Sequence, residues 1–342
     1  MSYDLRDLVR AFCADTLPMP EVRRLMGAEP DPALWRRFAA LGLAAITVPE
    51  EYGGAGGTLA DAAVVAEELG RALAPLPHLP AFLAASALME GDEEAREAYL
   101  PGIVSGELAA VLARGGVRAD GGRLTGTTAP APDAGTADLF LVVADGALHV
   151  AETAERTPLT SIDGTRSLAV LTFDGTPARR VGPAPSPAAG WTVLAAEMAG
   201  GARAALDMAV AYAKVREQFG RPIGANQAVK HLCAELLLDV EAAASMAASA
   251  AREASPRAGA MALAYCGDAY VRVATECVQI HGGIGFTWEH DAHLYYKRAH
   301  ASRALLGDPD DLYASLVDGA PQAGGASAEG ASAEGGAVTS PR

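Results

Sequence analysis

Apolar and polar positions recur with different periods along this chain, and the changes of period divide it. In LADAAVVAEELGRAL (59–73), Leu59, Ala62, Val65, Leu69 and Leu73 return every three or four residues, which predicts a helix with one apolar face. The preceding PEEYGGAGG (49–57) reads as an interhelical loop, and residues 1–112 as a whole predict a helical domain punctuated by Gly and Pro. Over 113–184 the pattern shortens to β-rich runs: LFLVVADGALHV sets two strands around Asp145-Gly146, a hairpin signal, and LAVLTF (168–173) is another strand. These predict a small middle β domain.

Helical periodicity returns over 185–318. Leu194, Met198, Gly201, Ala205, Met208, Tyr212, Val215 and Phe219 form one seam, Cys233, Leu236, Val240, Ala243, Ala247 and Ala250 a second, and Leu263, Cys266, Tyr270, Val273, Cys277 and Ile280 a third. Seams of this kind belong to antiparallel bundles, so a four-helix bundle is expected and the fold class is α+β. Residues 319–342, with a short ASAEG repeat and no large aliphatic or aromatic residue, predict a disordered tail.

Composition narrows the function. A net charge of −15, from 27 Lys+Arg against 42 Asp+Glu, argues against a nucleic-acid surface. No uncharged apolar run approaches a membrane span and no signal peptide is read, so the expectation is a soluble, cytoplasmic protein without a membrane partner. Cys13, Cys233, Cys266 and Cys277 lack metal spacing and read as reduced core thiols. His290 and His293 flank Asp291 without a clear third ligand, so no metal is expected.

Two stretches carry candidate chemistry. QIHGGIGF (279–286) places three glycines where the third seam ends, and it reads either as a glycine C-cap with a tight turn or as a place of close backbone approach. REQFGRPIGANQ (216–227) ends one bundle helix and starts the next; Arg216 offers a planar fork for phosphate oxygens, and Gln218, Asn226 and Gln227 add neutral polar contacts. Two such turns, one at each end of the bundle, have the donors for a nucleotide diphosphate.

In this order and spacing the two stretches resemble the acyl-CoA dehydrogenase family, as do LGLAAITVPEEYGGAGG, VVAEELGRALAP, TRSLAVLTFDG and HLYYKRA. The resemblance implies FAD chemistry: a carboxylate removes the α-proton of an acyl-CoA substrate while hydride leaves the β-carbon for the flavin. It further implies FAD shared across a subunit interface, with Arg216, Gln218, Asn226, Gln227, Gln279, Gly282 and Gly283 reaching the neighbouring subunit's cofactor. His281 is expected to make a local backbone hydrogen bond, and Trp191 and Trp288 to serve as packing residues.

The departures from the family pattern are specific. Ungapped counting puts Leu306 where the usual catalytic Glu stands and Gly190 at the alternative base position. Asp308 is a weak substitute, equally readable as the start of the next helix; Glu197 lies about two turns from Gly190 and should point elsewhere. The flavin-contacting loops of the β domain are also missing: one is effectively deleted, and the proline-rich APAPDAG (129–135) replaces the other. The expectation is therefore the degenerate subunit of an α2β2 heteromer, of the kind that acts on steroid side-chain thioesters, paired with a motif-complete acyl-CoA dehydrogenase subunit. The alternatives are a flavin-free structural or binding paralogue and a homomeric flavoenzyme with a non-standard base.

Overall fold

The computed structural model describes residues 2–318, so the tail expected over 319–342 lies outside the described residues. Six helices come first: α1 (Ser2–Thr16), α2 (Met19–Leu25), α3 (Pro32–Ala39), α4 (Leu59–Arg71), α5 (His78–Met89) and α6 (Glu93–Ser105). Helix α4 starts where Thr58 and Asp61 exchange side-chain and backbone hydrogen bonds in a capping box, and it buries Ala62, Val65 and Leu69 as its period predicts. Helix α5 is buried on nearly every side, from His78 to Leu88, which makes it the central helix of this part.

Nine strands follow: β1 (Ala110–Ala113), β2 (Gly115–Asp120), β3 (Arg123–Thr128), β4 (Ala131–Pro132), β5 (Leu139–Ala144), β6 (Ala147–Ala151), β7 (Glu155–Leu159), β8 (Leu168–Pro177) and β9 (Arg179–Pro183). They form two sheets, ordered β1-β5-β6-β9 and β2-β3-β8-β4 with β7 also paired to β8. The β5–β6 hairpin turns at Asp145 and Gly146, both at positive φ, as the dipeptide predicts. A second hairpin, β2–β3, turns at Gly121-Gly122, again at positive φ; sequence reading passed over it although the Gly-Gly pair marks it. APAPDAG contributes only the two-residue β4 before Asp133 takes a positive φ.

The remaining helices are α7 (Ala188–Val215), α8 (Gln227–Glu253), α9 (Pro256–His281), α10 (Ala292–Arg303) and α11 (Pro309–Asp318), with a small hairpin β10 (Glu217–Gln218) and β11 (Arg221–Pro222) between α7 and α8. Helices α7 to α10 pack on one another, and α4 lies across α7. At that crossing the backbones touch: a Cβ on Gly70 would collide with the Glu197 carbonyl oxygen, and one on Gly200 with that of Glu67. The architecture is the α+β arrangement expected, helices at both ends and sheets between.

Two expectations need correction. The first seam is buried from Leu194 to Ala205 but leaves the core at its end, where Val215 is 74% exposed and Phe219 99%. Helix α7 stops at Val215, and Phe219 sits at positive φ in the hairpin turn, so helical spacing no longer says where its ring goes. Of the four free cysteines, Cys13, Cys266 and Cys277 are buried whereas Cys233 is half-buried. No helix among the described residues is long and apolar enough to cross a membrane.

Candidate functional site

Helices α7 and α9 run in the same direction with α8 returning between them, so the turns that follow α7 and α9 share one end of the bundle. This corrects the expectation of one turn at each end: in an up-down-up path, alternate connections fall on the same side. Tyr212, near the end of α7, stacks on His281, the last residue of α9, with ring centroids 4.3 Å apart.

The polar residues of this end are largely open. Arg216 follows α7 in extended conformation, its N–H donating to the Tyr212 carbonyl at 2.9 Å and its own carbonyl accepting from Ile223 at 2.8 Å. Its side chain is exposed and forms no hydrogen bond or ion pair among the described residues. Gln279 is likewise exposed and unpaired. Gln218 bonds only the Glu217 carbonyl, Gln227 lies 3.5 Å from His231 Nε2, and half-buried Asn226 accepts from Arg221. Gly282 caps α9 at φ 65°, donating back to the carbonyls of Val278 and Gln279, which satisfies the helix end. A Cβ on Gly283 would meet nothing within 4 Å, so nothing in this chain requires a glycine there. The C-terminal ends of two helices carry partial negative charge, so an anion held here would depend on the Arg216 guanidinium and the start of α8.

Aromatic groups frame the turn. His281 is buried, its Nδ1–H donating to the Cys277 carbonyl at 2.7 Å as expected, while Nε2 has no partner. His290 packs against it at 4.2 Å. Trp288 departs from the packing expectation: its ring is 65% exposed, with Lys297 Nζ 4.4 Å from its centroid and His293 edge-on at 4.8 Å. It lies in the link between the glycine turn and α10, with Arg23 also over its ring at 6.0 Å. Trp191 does pack, with its indole N–H on the Leu306 carbonyl at 2.8 Å.

Gly190 and Leu306, the two positions counted as base positions from the sequence, lie near each other in apolar surroundings. A Cβ on Gly190 would run into Leu83 of α5 and come within 3.7 Å of the Leu306 side chain. Leu306 itself is held at φ 61°. Asp308 is exposed and its carboxylate accepts from the Asp310 N–H at 2.8 Å at the start of α11, a helix-starting geometry.

Glu197 points elsewhere, as expected, into a buried network whose arginines lie in the TRSLAVLTFDG and HLYYKRA stretches, although no spacing pairs them with it. Both its carboxylate oxygens accept from one nitrogen, Arg166 Nη2, at 2.8 Å, and it pairs with Arg298 at 3.1 Å. Arg298 also reaches Asp163 at 3.2 Å and Thr165 Oγ1 at 2.6 Å. Burial alone would raise the Glu197 carboxyl, yet the two guanidiniums outweigh it and hold the group at about 2. It is therefore a fixed anion, unsuited to taking a proton at neutral pH. The network ties the loop before β8 to α7 and α10.

Nearby concavities are small. One of about 190 Å³ lies against Asp133, Asp163, Arg166 and Pro75, and another of about 260 Å³ against Trp35, Pro77, Leu108 and Ala137. Both fall below the ~300 to 1,000 Å³ of small-molecule pockets, and neither is lined by Gly190 or Leu306.

Helices on both sides of a two-sheet middle, with polar glycine turns at one bundle end, define a fold of the acyl-CoA dehydrogenase type. Residues 3–107 match the family model for the acyl-CoA dehydrogenase N-terminal domain, and 190–310 that for its C-terminal domain. The chain belongs to the acyl-CoA dehydrogenase family of oxidoreductases. It is 38% identical over 315 residues to acyl-CoA dehydrogenase IpdE2 of Mycobacterium tuberculosis, covering 91% of this chain and 95% of that protein. Among solved structures it resembles a chain of the Tcur3481-Tcur3483 steroid ACAD G363A variant, with TM-score 0.86 and 30% identity over 93% of this chain and 96% of that one. It also resembles a chain of the ChsE4-ChsE5 complex from M. tuberculosis, with TM-score 0.86, 28% identity and the same coverages.

Proposed function

We propose that this chain is a non-autonomous subunit of an FAD-dependent acyl-CoA dehydrogenase, completing the FAD site of a motif-complete partner rather than running a site of its own. One observation carries the reading: Gly190 and Leu306, where counting places the family's bases, are both apolar, whereas Arg216 and Gln279 stand exposed and without partners among the described residues. The similarity to the steroid ACAD and to the ChsE4-ChsE5 complex supports a two-component assembly and a steroid-type acyl-CoA thioester as substrate.

The residues fit one part of the cofactor and not another. At the turns, an unpaired guanidinium, an unpaired amide and the open backbone at Gly283 suit a diphosphate brought by another chain. Between α5, α7 and the segment at Leu306, a side chain at Gly190 would run into Leu83, and Leu306 offers no carboxylate. When bound, FAD supplies the hydride acceptor for α,β-desaturation. This chain's part is to hold it: Arg216 as a charge-assisted donor, Gln218, Asn226, Gln227 and Gln279 as neutral polar contacts, and Gly282 and Gly283 as backbone that leaves room. Neither Leu306 nor Gly190 can move a proton, so the α-proton must go to a carboxylate of the partner.

Coexpression with a motif-complete acyl-CoA dehydrogenase subunit tests this. The expected product is a heteromer with about one FAD per pair, while the chain alone is flavin-poor and inactive. Arg216→Ala should weaken FAD affinity in the heteromer by roughly one to two decades, since a hydrogen bond to a charged group contributes about 1.5 to 3 kcal/mol. A stoichiometric flavin spectrum with robust acyl-CoA turnover from the isolated chain would overturn the reading.

A further inference from the structure

The two segments assigned to the diphosphate come from different helices, and a grip made from both needs something to set their spacing. The described contacts provide one connection. The Arg216 N–H is anchored on the Tyr212 carbonyl, one turn back along α7. The Tyr212 ring lies over His281 at 4.3 Å with an interplanar angle of 29°. His281 in turn is fixed by its Nδ1–H on the Cys277 carbonyl, and a carbonyl only accepts, so the ring proton sits on Nδ1. Above it the turn closes so tightly that a Cβ on Gly285 would lie 2.7 Å from the His281 Cβ. His290, contributed by the chain after the turn, covers His281 at 4.2 Å and is itself held by the Ala292 N–H on its Nδ1 at 3.2 Å.

A packing role alone does not account for these residue types. His281 is 4% exposed and leaves Nε2 without a partner, a cost that an aliphatic side chain would avoid. Tyr212 is only half-buried, so a core has little need of its ring. What planar rings provide, and branched aliphatics do not, is a defined face-to-face geometry.

We infer that the Tyr212–His281 stack, backed by His290, is a positioning element that fixes the spacing between Arg216 and the Gln279–Gly283 turn, so that both engage one diphosphate at once. The inference rests on the shared-site reading above. It assigns no direct cofactor contact to Tyr212 or His281; they act through the groups they hold.

The test is FAD titration of the deflavinated heteromer, followed by flavin fluorescence, with the melting temperature of the flavin-free complex as control. Tyr212→Phe keeps the ring and should stay within about two-fold of wild type. Tyr212→Leu keeps the bulk and loses the ring, and should weaken FAD about three- to ten-fold while the flavin-free melting temperature holds. His281→Leu should weaken it similarly. Combined with Arg216→Ala, Tyr212→Leu should add little further loss, because a positioning residue has nothing left to position; independent contributions would multiply. If Arg216→Ala weakens FAD but Tyr212→Leu does not, or if their losses multiply, the positioning role falls while the shared site stands. If Arg216→Ala itself has no effect, both fall.

Discussion

The interior between α5, α7 and α10 and the exposed end of the bundle use the same residue types for opposite purposes. Inside, Arg166 and Arg298 are matched by Glu197 and Asp163, and every guanidinium has a carboxylate within 3.2 Å. At the bundle end, Arg216 has none among the described residues, although the chain carries 42 acidic residues against 27 basic ones. A buried charge must be paired because desolvation is costly, whereas an exposed one can stay free at little expense. Polar residues satisfied within the chain are thus structural, and those left free at an open edge are available to something outside it.

The largest test of this contrast is to break the interior. Glu197→Ala leaves buried Arg166 without its carboxylate and takes one of two from Arg298, which keeps Asp163, and should cost about 3 to 5 kcal/mol in urea denaturation. Arg216→Ala, in the same assay, should stay within about 0.5 kcal/mol. Equal losses for the two would erase the distinction.

The interior also predicts a pH response. His78, enclosed by Phe38 and Phe82, is pushed down to about 4 by burial, with Glu197 opposing and Arg166 assisting. Its unfolded value is about 6.5. Between the two values the unfolded chain binds the extra proton, so stability is complete above pH 6.5 and is lost as the pH falls toward 4. The loss amounts to roughly 3 kcal/mol across that window. Urea midpoints of wild type and His78→Phe, compared from pH 7 to 4, check this: the mutant should lack that part of the acid sensitivity.

A smaller effect sharpens the open end. A Cβ at Gly283 meets no described atom within 4 Å, so Gly283→Val should leave the stability of the flavin-free heteromer within about 0.5 kcal/mol. FAD affinity should nevertheless fall about ten-fold if cofactor backbone approaches there. Gly282 is the poorer probe, because its φ of 65° adds strain to any side chain. Equal stability losses with and without FAD would return Gly283 to a purely local role.

The smallest expected effect is a null one. Leu306→Glu restores an acid at the usual base position, yet acyl-CoA-dependent acceptor reduction by the isolated chain should stay at background. Leu83 still fills the space beside Gly190, and on the proposed reading the flavin cradle still belongs to the partner. Clear turnover by this variant would mean that only the acid had been lacking.

Local pattern by itself determined the elements. The period of three and four over Leu59–Leu73 is α4, Asp145-Gly146 is the β5–β6 turn, and the Gln279–Phe286 glycines do end a helix, because helix faces, hairpin turns and caps are set by residues a few positions apart. That Leu306 and Gly190 are apolar was equally readable, since they are identities in the chain. Tertiary structure alone decided which distant groups meet. Arg166 finds Glu197 across 31 residues and Arg298 finds Asp163 across 135, and no period or spacing encodes such pairs. It also decided that both polar turns share one end, that Phe219 and Trp288 stand in the open, and that Tyr212 lies on His281. Each of these depends on the relative placement of whole helices, which follows from burying all the apolar faces at once rather than from any one of them.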